Sequence, residues 1–220
     1  MTLKLPHSGG NSVSITAPAS NPAADRSLAL PGNADGTILT TKYPSGIQVL
    51  EQFFSPCDGS TIATSNGDIT LTNVTAAQNL TSTHADISGA SISYNPPTGT
   101  TQVIYEYQFY QGTGDSPNLG HYKFNVDGTD VTYSRFSHFT ADSAGDSSLI
   151  QFKWAVNIGG STTAATGRLA SWSGSKTLKL MGREYGSSNE VSLNNVYHWD
   201  GSGSQNIFHQ PCIGITALGG

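Results

Sequence analysis

Val103–Phe109 reads VIYEYQF and Leu149–Ile158 reads LIQFKWAVNI. In the first, Val103, Tyr105, Tyr107 and Phe109 fall on one side of an extended chain. In the second, Ile150, Phe152, Trp154, Val156 and Ile158 do so, with Gln151, Lys153, Ala155 and Asn157 opposite. Side chains alternate faces along a strand, so each stretch predicts a strand with one apolar face. No other part of the chain has a stronger period, and a β-sandwich built around these two strands is the starting expectation.

The pattern repeats more weakly outward. Ile47–Phe54, Thr61–Thr64, Ile69–Val74, Ile87–Tyr94, Leu178–Met181, Val191–Tyr197 and Ile207–Ile215 are further candidates. Asn66-Gly67-Asp68 signals a hairpin, because Asn-Gly supplies the positive φ of tight turns. His121–Val126 and Val131–Phe136 predict a second hairpin across Asp127-Gly128-Thr129-Asp130. Short strands at roughly 8–12-residue spacing, with turn chemistry between them and no helical period, predict an all-β sandwich or barrel.

Composition agrees. The 220 residues are 36% hydrophobic and 11% charged, against typical values of about 45–50% and 25%. Ser, Thr, Asn and Gly fill the gap, favouring strands and turns over helices. Net charge is −5, with 10 Lys and Arg and no basic run, which argues against nucleic-acid binding through phosphates. No apolar run approaches the ~20 residues of a membrane span. MTLKLPHSGG lacks the apolar core of a signal peptide, so synthesis in a host cytoplasm is expected. Cys57 and Cys212 allow one bridge or two buried thiols. Cytoplasmic synthesis favours the thiols, although positions near the two ends of the domain also suit neighbouring strands.

Residues 1–46 differ from the rest. Four short apolar pairs, Leu3/Leu5, Val13/Ile15, Leu28/Leu30 and Ile38/Leu39, are separated by Pro and Gly turn formers. This density excludes a helix and breaks any long strand. The expectation is an extended Pro/Gly-rich N-terminal arm (1–46) that buries its apolar residues against other chains, followed by a β-sandwich head domain (47–220).

Ser14–Thr41, SITAPASNPAADRSLALPGNADGTILTT, resembles a segment that recurs in bacteriophage virion proteins, particularly tail-fibre-like and other structural proteins of marine phages. SYNPPTGTTQVIYEYQF, KTLKLMGREYGSSNE, HWDGSGSQ and the closing ITAL are similar to words in the C-terminal domains of such proteins. The resemblance implies a jelly-roll-like sandwich and a homotrimer located in the virion. Its arm would contact other virion proteins, and its head would bind a host surface glycan. A head-decoration or vertex fibre that stabilises the shell without binding a receptor is the alternative.

Chemistry-bearing motifs are sparse. Among the six histidines only His121 and His138 share a hairpin, without the spacing of a metal motif. Asp127 and Asp130 flank a turn, and Asp142 and Asp146 share a loop, but neither set has the ligand density of a calcium loop. No nucleophile motif occurs. The reading is therefore non-enzymatic, with no cofactor and no metal. Glycan contact needs aromatic faces for sugar C–H groups and polar side chains for hydroxyls. Trp199, Asp200, Tyr110 and Trp172 are the candidates. Trp154, mid-strand, is assigned to the core.

Overall fold

The computed structural model describes residues 2–6, 12–16, 46–113, 118–140, 147–186, 188–198 and 205–219. Met1–Tyr43 and Pro44–Gly220 form two compact units. In the first, β1 (Thr2–Pro6) pairs antiparallel with β2 (Ser12–Thr16), placing Leu3 opposite Ile15 and Leu5 opposite Val13. Residues 1, 7–11 and 17–45 of the expected arm lie outside the described residues.

The second unit is all-β. Its strands are β3 (Gln48–Pro56), β4 (Thr61–Ile62), β5 (Ile69–Thr70), β6 (Gln78–Asn79), β7 (Ala85–Tyr94), β8 (Thr100–Thr113), β9 (Asn118–Val126), β10 (Thr129–Asp130), β11 (Phe136–Thr140), β12 (Ser147–Asn157), β13 (Lys176–Glu184), β14 (Val191–Leu193), β15 (Asn195–His198), β16 (Gln205–Phe208) and β17 (Cys212–Gly219). Eight of these nest as antiparallel pairs: β3 with β17, β7 with β13, β8 with β12, and β9 with β11. The first thus pairs with the last, the second with the seventh, and so inward. The two resulting sheets have the orders β3-β17-β8-β12 and β7-β13-β9-β11. This is the strand order of a jelly roll, a double-sheet architecture. Short strands extend it: β14 and β6 beyond β17 on the same edge of β8, and β10 beside β9.

The two opening stretches lie side by side as β8 and β12. Val103 faces Val156, Tyr105 faces Trp154, Tyr107 faces Phe152 and Phe109 faces Ile150. On the other edge of β8, Ala217, Ile215 and Ile213 of β17 continue the same rows. The second sheet meets them with Tyr122, Phe124 and Val126 of β9, Leu178 and Leu180 of β13, and Ile87 and Ile92 of β7, all buried. Ring contacts join the layers, with Tyr105 and Phe124 centroids 4.8 Å apart and Phe109 and Tyr122 5.4 Å apart. Trp154 is half-buried against this core, its indole N–H donating to the Thr166 carbonyl at 3.0 Å.

A bulge in β7 locks the sheets together. Lys179 pairs with Ser91, but Met181 pairs with Asp86, so β7 carries extra residues there. Gly89 takes φ +83°, and carbonyls are released from the ladder. Tyr107 Oη donates to Ser88 O at 2.6 Å, Cys57 Sγ to Gly89 O at 3.4 Å, and Tyr105 Oη to Ala90 O at 2.6 Å. Cys57 and Cys212 are free thiols. Their segments do lie together, since the Cys57 N–H donates to Pro211 O at 2.9 Å. Burial, aided by neighbouring Cys212 and Asp58, pushes the Cys57 thiol up to about 12.

At the end of β8 and the start of β9 a polar cluster closes the core. Gln111 Nε2 donates to Asn118 Oδ1 at 2.8 Å and to His138 O at 3.2 Å, and Asn118 Nδ2 donates to Gly112 O at 2.8 Å. The Tyr122 hydroxyl donates to Gln111 Oε1, and the Thr140 hydroxyl to Asn118 Oδ1. Buried amides are tolerated here because each has partners.

Thr61–Thr64 and Ile69–Val74 shorten to β4 and β5, and three other expected strands are interrupted. The Asp127–Gly128 turn forms with both residues at positive φ (51° and 86°), as a type I′ hairpin requires. The returning strand is interrupted, however, by a 3-10 turn at Thr132–Ser134, and β11 starts only at Phe136. Ser134 Oγ takes the Phe124 N–H at 2.9 Å while donating to Val131 O at 2.8 Å, substituting a side chain for the ladder. The expected strand Val191–Tyr197 breaks at Asn194, whose φ is 61°. The expected strand Ile207–Ile215 breaks before Cys212, where Pro211 has no N–H to offer a ladder, so β16 and β17 join different sheets.

Gly89→Ala tests the bulge. A Cβ there would lie 2.7 Å from Val74 Cγ2 and 3.0 Å from Cys57 Sγ, whereas at Gly99, also at positive φ, nothing lies within 4 Å. Urea unfolding should show Gly89→Ala losing about 3 kcal/mol or more, from clash plus backbone strain. Gly99→Ala should lose only about 1 kcal/mol.

Candidate functional site

The alternation that buries Tyr105 and Tyr107 turns Ile104, Glu106, Gln108 and Tyr110 to the other face of the first sheet. Their register partners on β12 are Ala155, Lys153, Gln151 and Leu149. This outer face is a ladder of cross-strand polar pairs. Lys153 Nζ lies 2.7 Å from Glu106 Oε1, and Gln151 Nε2 donates to Gln108 Oε1 at 3.2 Å. Gln102 Nε2 donates to Asn157 Oδ1 at 2.7 Å, and Gln52 Nε2 to Thr216 Oγ1 at 3.0 Å.

A glycine converts this ladder into a groove. Gly214 sits opposite Glu106 on one side and Phe54 on the other. A Cβ at Gly214 would meet Phe54 Cδ2 at 2.6 Å, so the Phe54 ring lies over the position a side chain would occupy. Phe54 remains 52% exposed. Together with Glu106, Gln108, Gln151 and Lys153 it lines a shallow groove of about 490 Å³. One exposed aromatic ring beside two amides, a carboxylate and an ammonium is a surface that can stack on a sugar and exchange hydrogen bonds with hydroxyls. The Glu106–Lys153 pair is open to solvent and weakly held, leaving both groups free to re-pair with a ligand.

Tyr110 continues the Glu106–Gln108 row. Its ring packs on His209 with centroids 4.6 Å apart. Buried Asn194 fastens this point: its N–H donates to Tyr110 O at 2.8 Å, its Oδ1 accepts from the Tyr110 N–H at 3.2 Å, and its carbonyl accepts from the His209 N–H at 2.9 Å. These bonds tie the β15–β16 hairpin to β8. Trp199 and Asp200 fall between β15 and β16 and lie outside the described residues. Trp172 belongs elsewhere. Its ring stands edge-on to Tyr94 at 6.4 Å and its N–H donates to Tyr94 O at 3.3 Å, a packing arrangement at the end of β7. Phe54, Glu106, Gln108, Gln151 and Lys153 were not among the sequence candidates. The available signal was Gly214, a lone glycine within a strand, which marks a close approach.

The other polar groups singled out from sequence have local partners. His121 and His138 occupy opposite faces, since His121 is opposite Ser137 and His138 opposite Gly120. Asp127 bonds Lys176 Nζ at 2.9 Å, which holds its carboxyl below the ordinary range. Asp142 and Asp146 lie outside the described residues. Among the described residues no group of three or more His, Cys, Asp or Glu is placed to hold a metal ion, and no helix is long and apolar enough to cross a membrane.

No family model and no curated protein sequence matches this chain. Among solved structures, it is remotely similar to a chain in the structure of infectious bursal disease virus, Gx strain. Identity is 11% over 87% of this chain and 44% of the viral one, with a TM-score of 0.33. For the Gt strain the values are 13%, 93%, 40% and 0.28. The chain therefore spans less than half the length of these viral chains, and scores this low do not establish a common fold. The jelly-roll assignment stands on the strand order itself.

Glu106→Gln, Lys153→Met and the double variant should each keep a melting temperature within about 3 °C of the parent, with a coupling energy below about 1 kcal/mol. A larger coupling in the double-mutant cycle would mean the pair is a structural clamp rather than an open polar surface.

Proposed function

We propose that this chain is a non-enzymatic structural protein of a bacteriophage virion, a short trimeric fibre or spike whose sandwich projects from the particle and binds a host surface glycan. The observation that carries the reading is a jelly roll, an architecture used in viral coats and lectins, bearing an open aromatic and amide groove on an outer sheet face. Fold alone does not assign function, so the weight rests on the groove. Phe54 supplies the stacking ring, while Gln108, Gln151 and Glu106 supply hydroxyl partners. Tyr110 lies further along the same row, and Trp199 and Asp200 follow β15, whose hairpin is tied to Tyr110.

The N-terminal unit serves as the attachment arm. The resemblance of Ser14–Thr41 to a segment that recurs in phage virion proteins supports this, as does the division of the chain into two compact units at Tyr43/Pro44. Trimerisation is supported by the edge strand β3, which exposes Val49 (58%), and by Ile47 (74%) just before it; an open apolar edge invites a partner chain. The same two residues also favour a second reading, in which that edge packs on a shell protein and the chain decorates the head without binding a receptor.

Purified protein should adsorb to host cells and compete with virions for infection. Phe54→Ala should weaken adsorption about 3–10-fold, the value of one aromatic stacking contact. Absence of both adsorption and competition selects the decoration reading. Deleting residues 1–40 should abolish incorporation into particles while leaving the circular dichroism of the sandwich intact. Normal incorporation of the truncated chain would contradict an anchoring arm.

A further inference from the structure

The opposite sheet carries a groove of different chemistry. His121 of β9 is flanked in register by Ser137 of β11 and Arg183 of β13. Lys123 lies two residues further along the same face. With His84 and Arg135 these side chains line a depression of about 470 Å³. Three of the chain's 10 Lys and Arg and two of its six His therefore converge on one groove of a protein whose net charge is −5. No carboxylate lines it. Asp130, outside the lining, is held by Lys123 Nζ at 2.6 Å and Asn125 Nδ2 at 2.9 Å, and lies 3.9 Å from Arg135. Arg135 is 60% exposed and has no closer ion-pair partner than this among the described residues. Arg183 is anchored through Nη1 to the carbonyls of Glu184 and Tyr185, which presets its guanidinium in the groove.

The field in the groove is positive. Burial lowers the pKa of His84 and His121, and neighbouring cations add to the effect: Lys123, Arg183 and Arg135 outweigh the opposing Asp130 carboxylate at His84, and Arg183 acts at His121. Three cations set against the single Asp130 carboxylate leave the concave site with excess positive charge, a receptor for an anion, and guanidinium groups favour planar, bidentate acceptors such as carboxylates. The volume exceeds that of a lone inorganic anion and falls within the range of small-ligand sites. Three cations in a pocket do not form the extended basic track that a nucleic-acid backbone needs, and the overall negative charge opposes a densely charged polyanion.

We propose that the groove between His84, His121, Lys123, Arg135 and Arg183 is a second binding site, specific for the carboxylate-bearing sugar of an acidic polysaccharide. It is separate from the Phe54 groove and does not depend on that groove's assignment. Arg135 and Arg183 grip the carboxylate, while Ser137 and the two imidazoles meet ring hydroxyls.

The test is calorimetric titration of full-length protein with an oligogalacturonate tetrasaccharide, its carboxyl-reduced neutral counterpart, and inorganic phosphate. The expected result is binding of the acidic tetrasaccharide, weakened by rising salt. Arg135→Gln and Arg183→Gln, each made in the parent and in a Phe54→Ala background that removes the other groove's ring, should lower its affinity by about tenfold or more. Arg135 is mostly exposed, so its variant reports on binding even if Arg183→Gln perturbs folding. No binding of the tetrasaccharide, equal binding of the reduced form, equal binding of phosphate, or indifference to Arg135→Gln would each overturn the proposal.

Discussion

The structure depends on how the bulge of β7 is satisfied. A bulge takes carbonyls out of the ladder, and buried carbonyls without partners are costly. Three consecutive ones, at Ser88, Gly89 and Ala90, are met from outside their own sheet by the Tyr107 hydroxyl, the Cys57 thiol and the Tyr105 hydroxyl. The rings that fill the space between the sheets thus also carry the donors that fix one sheet's position on the other. Gln78 closes the remaining side, giving its Nε2 to Asp86 O at 3.0 Å and accepting the Ser88 N–H on Oε1 at 2.8 Å. Register between layers follows from these directional bonds, where apolar packing alone would allow sliding.

This arrangement also explains how a chain only 36% hydrophobic holds a two-sheet core. Four of its largest fully buried side chains are the tyrosines at 94, 105, 107 and 122. Each has a hydroxyl partner: Glu51 for Tyr94 at 2.7 Å, the bulge carbonyls for Tyr105 and Tyr107, and Gln111 for Tyr122. Aromatic area is supplied by residues with a polar end, and that end is used at the bulge, at β3 and at the amide cluster. The outer faces are then left to polar pairs on one sheet and a cationic groove on the other, so a single scaffold presents two surfaces of distinct chemistry.

The alternation in Val103–Phe109 and Leu149–Ile158 made the central strands legible, because burial of one face imposes a period of two on local sequence. Their pairing with each other and the nesting of β3 with β17 were not legible, since these contacts join residues more than 40 and 150 positions apart and leave no local trace. The jelly-roll order was anticipated by resemblance, not by periodicity. Breaks at Asn194 and Pro211 were missed although both residues advertise them, one by tolerance of positive φ and the other by its missing donor. Tyr110 was singled out by residue type and lies in the same row as Glu106 and Gln108 without lining the groove. The Phe54 groove was not legible, because Phe54, Glu106 and Gln151 meet only once four strands, β3, β17, β8 and β12, are assembled.

Amide hydrogen exchange on the full-length protein tests most directly the claim that the bulge docks the two sheets. The account predicts that peptides covering residues 86–94 and 100–109 exchange as one slow unit, with matched protection across denaturant concentrations. Early exchange of 86–94 while 100–109 stays protected would contradict it, showing that the tyrosine hydroxyls do not hold β7 to the opposite sheet.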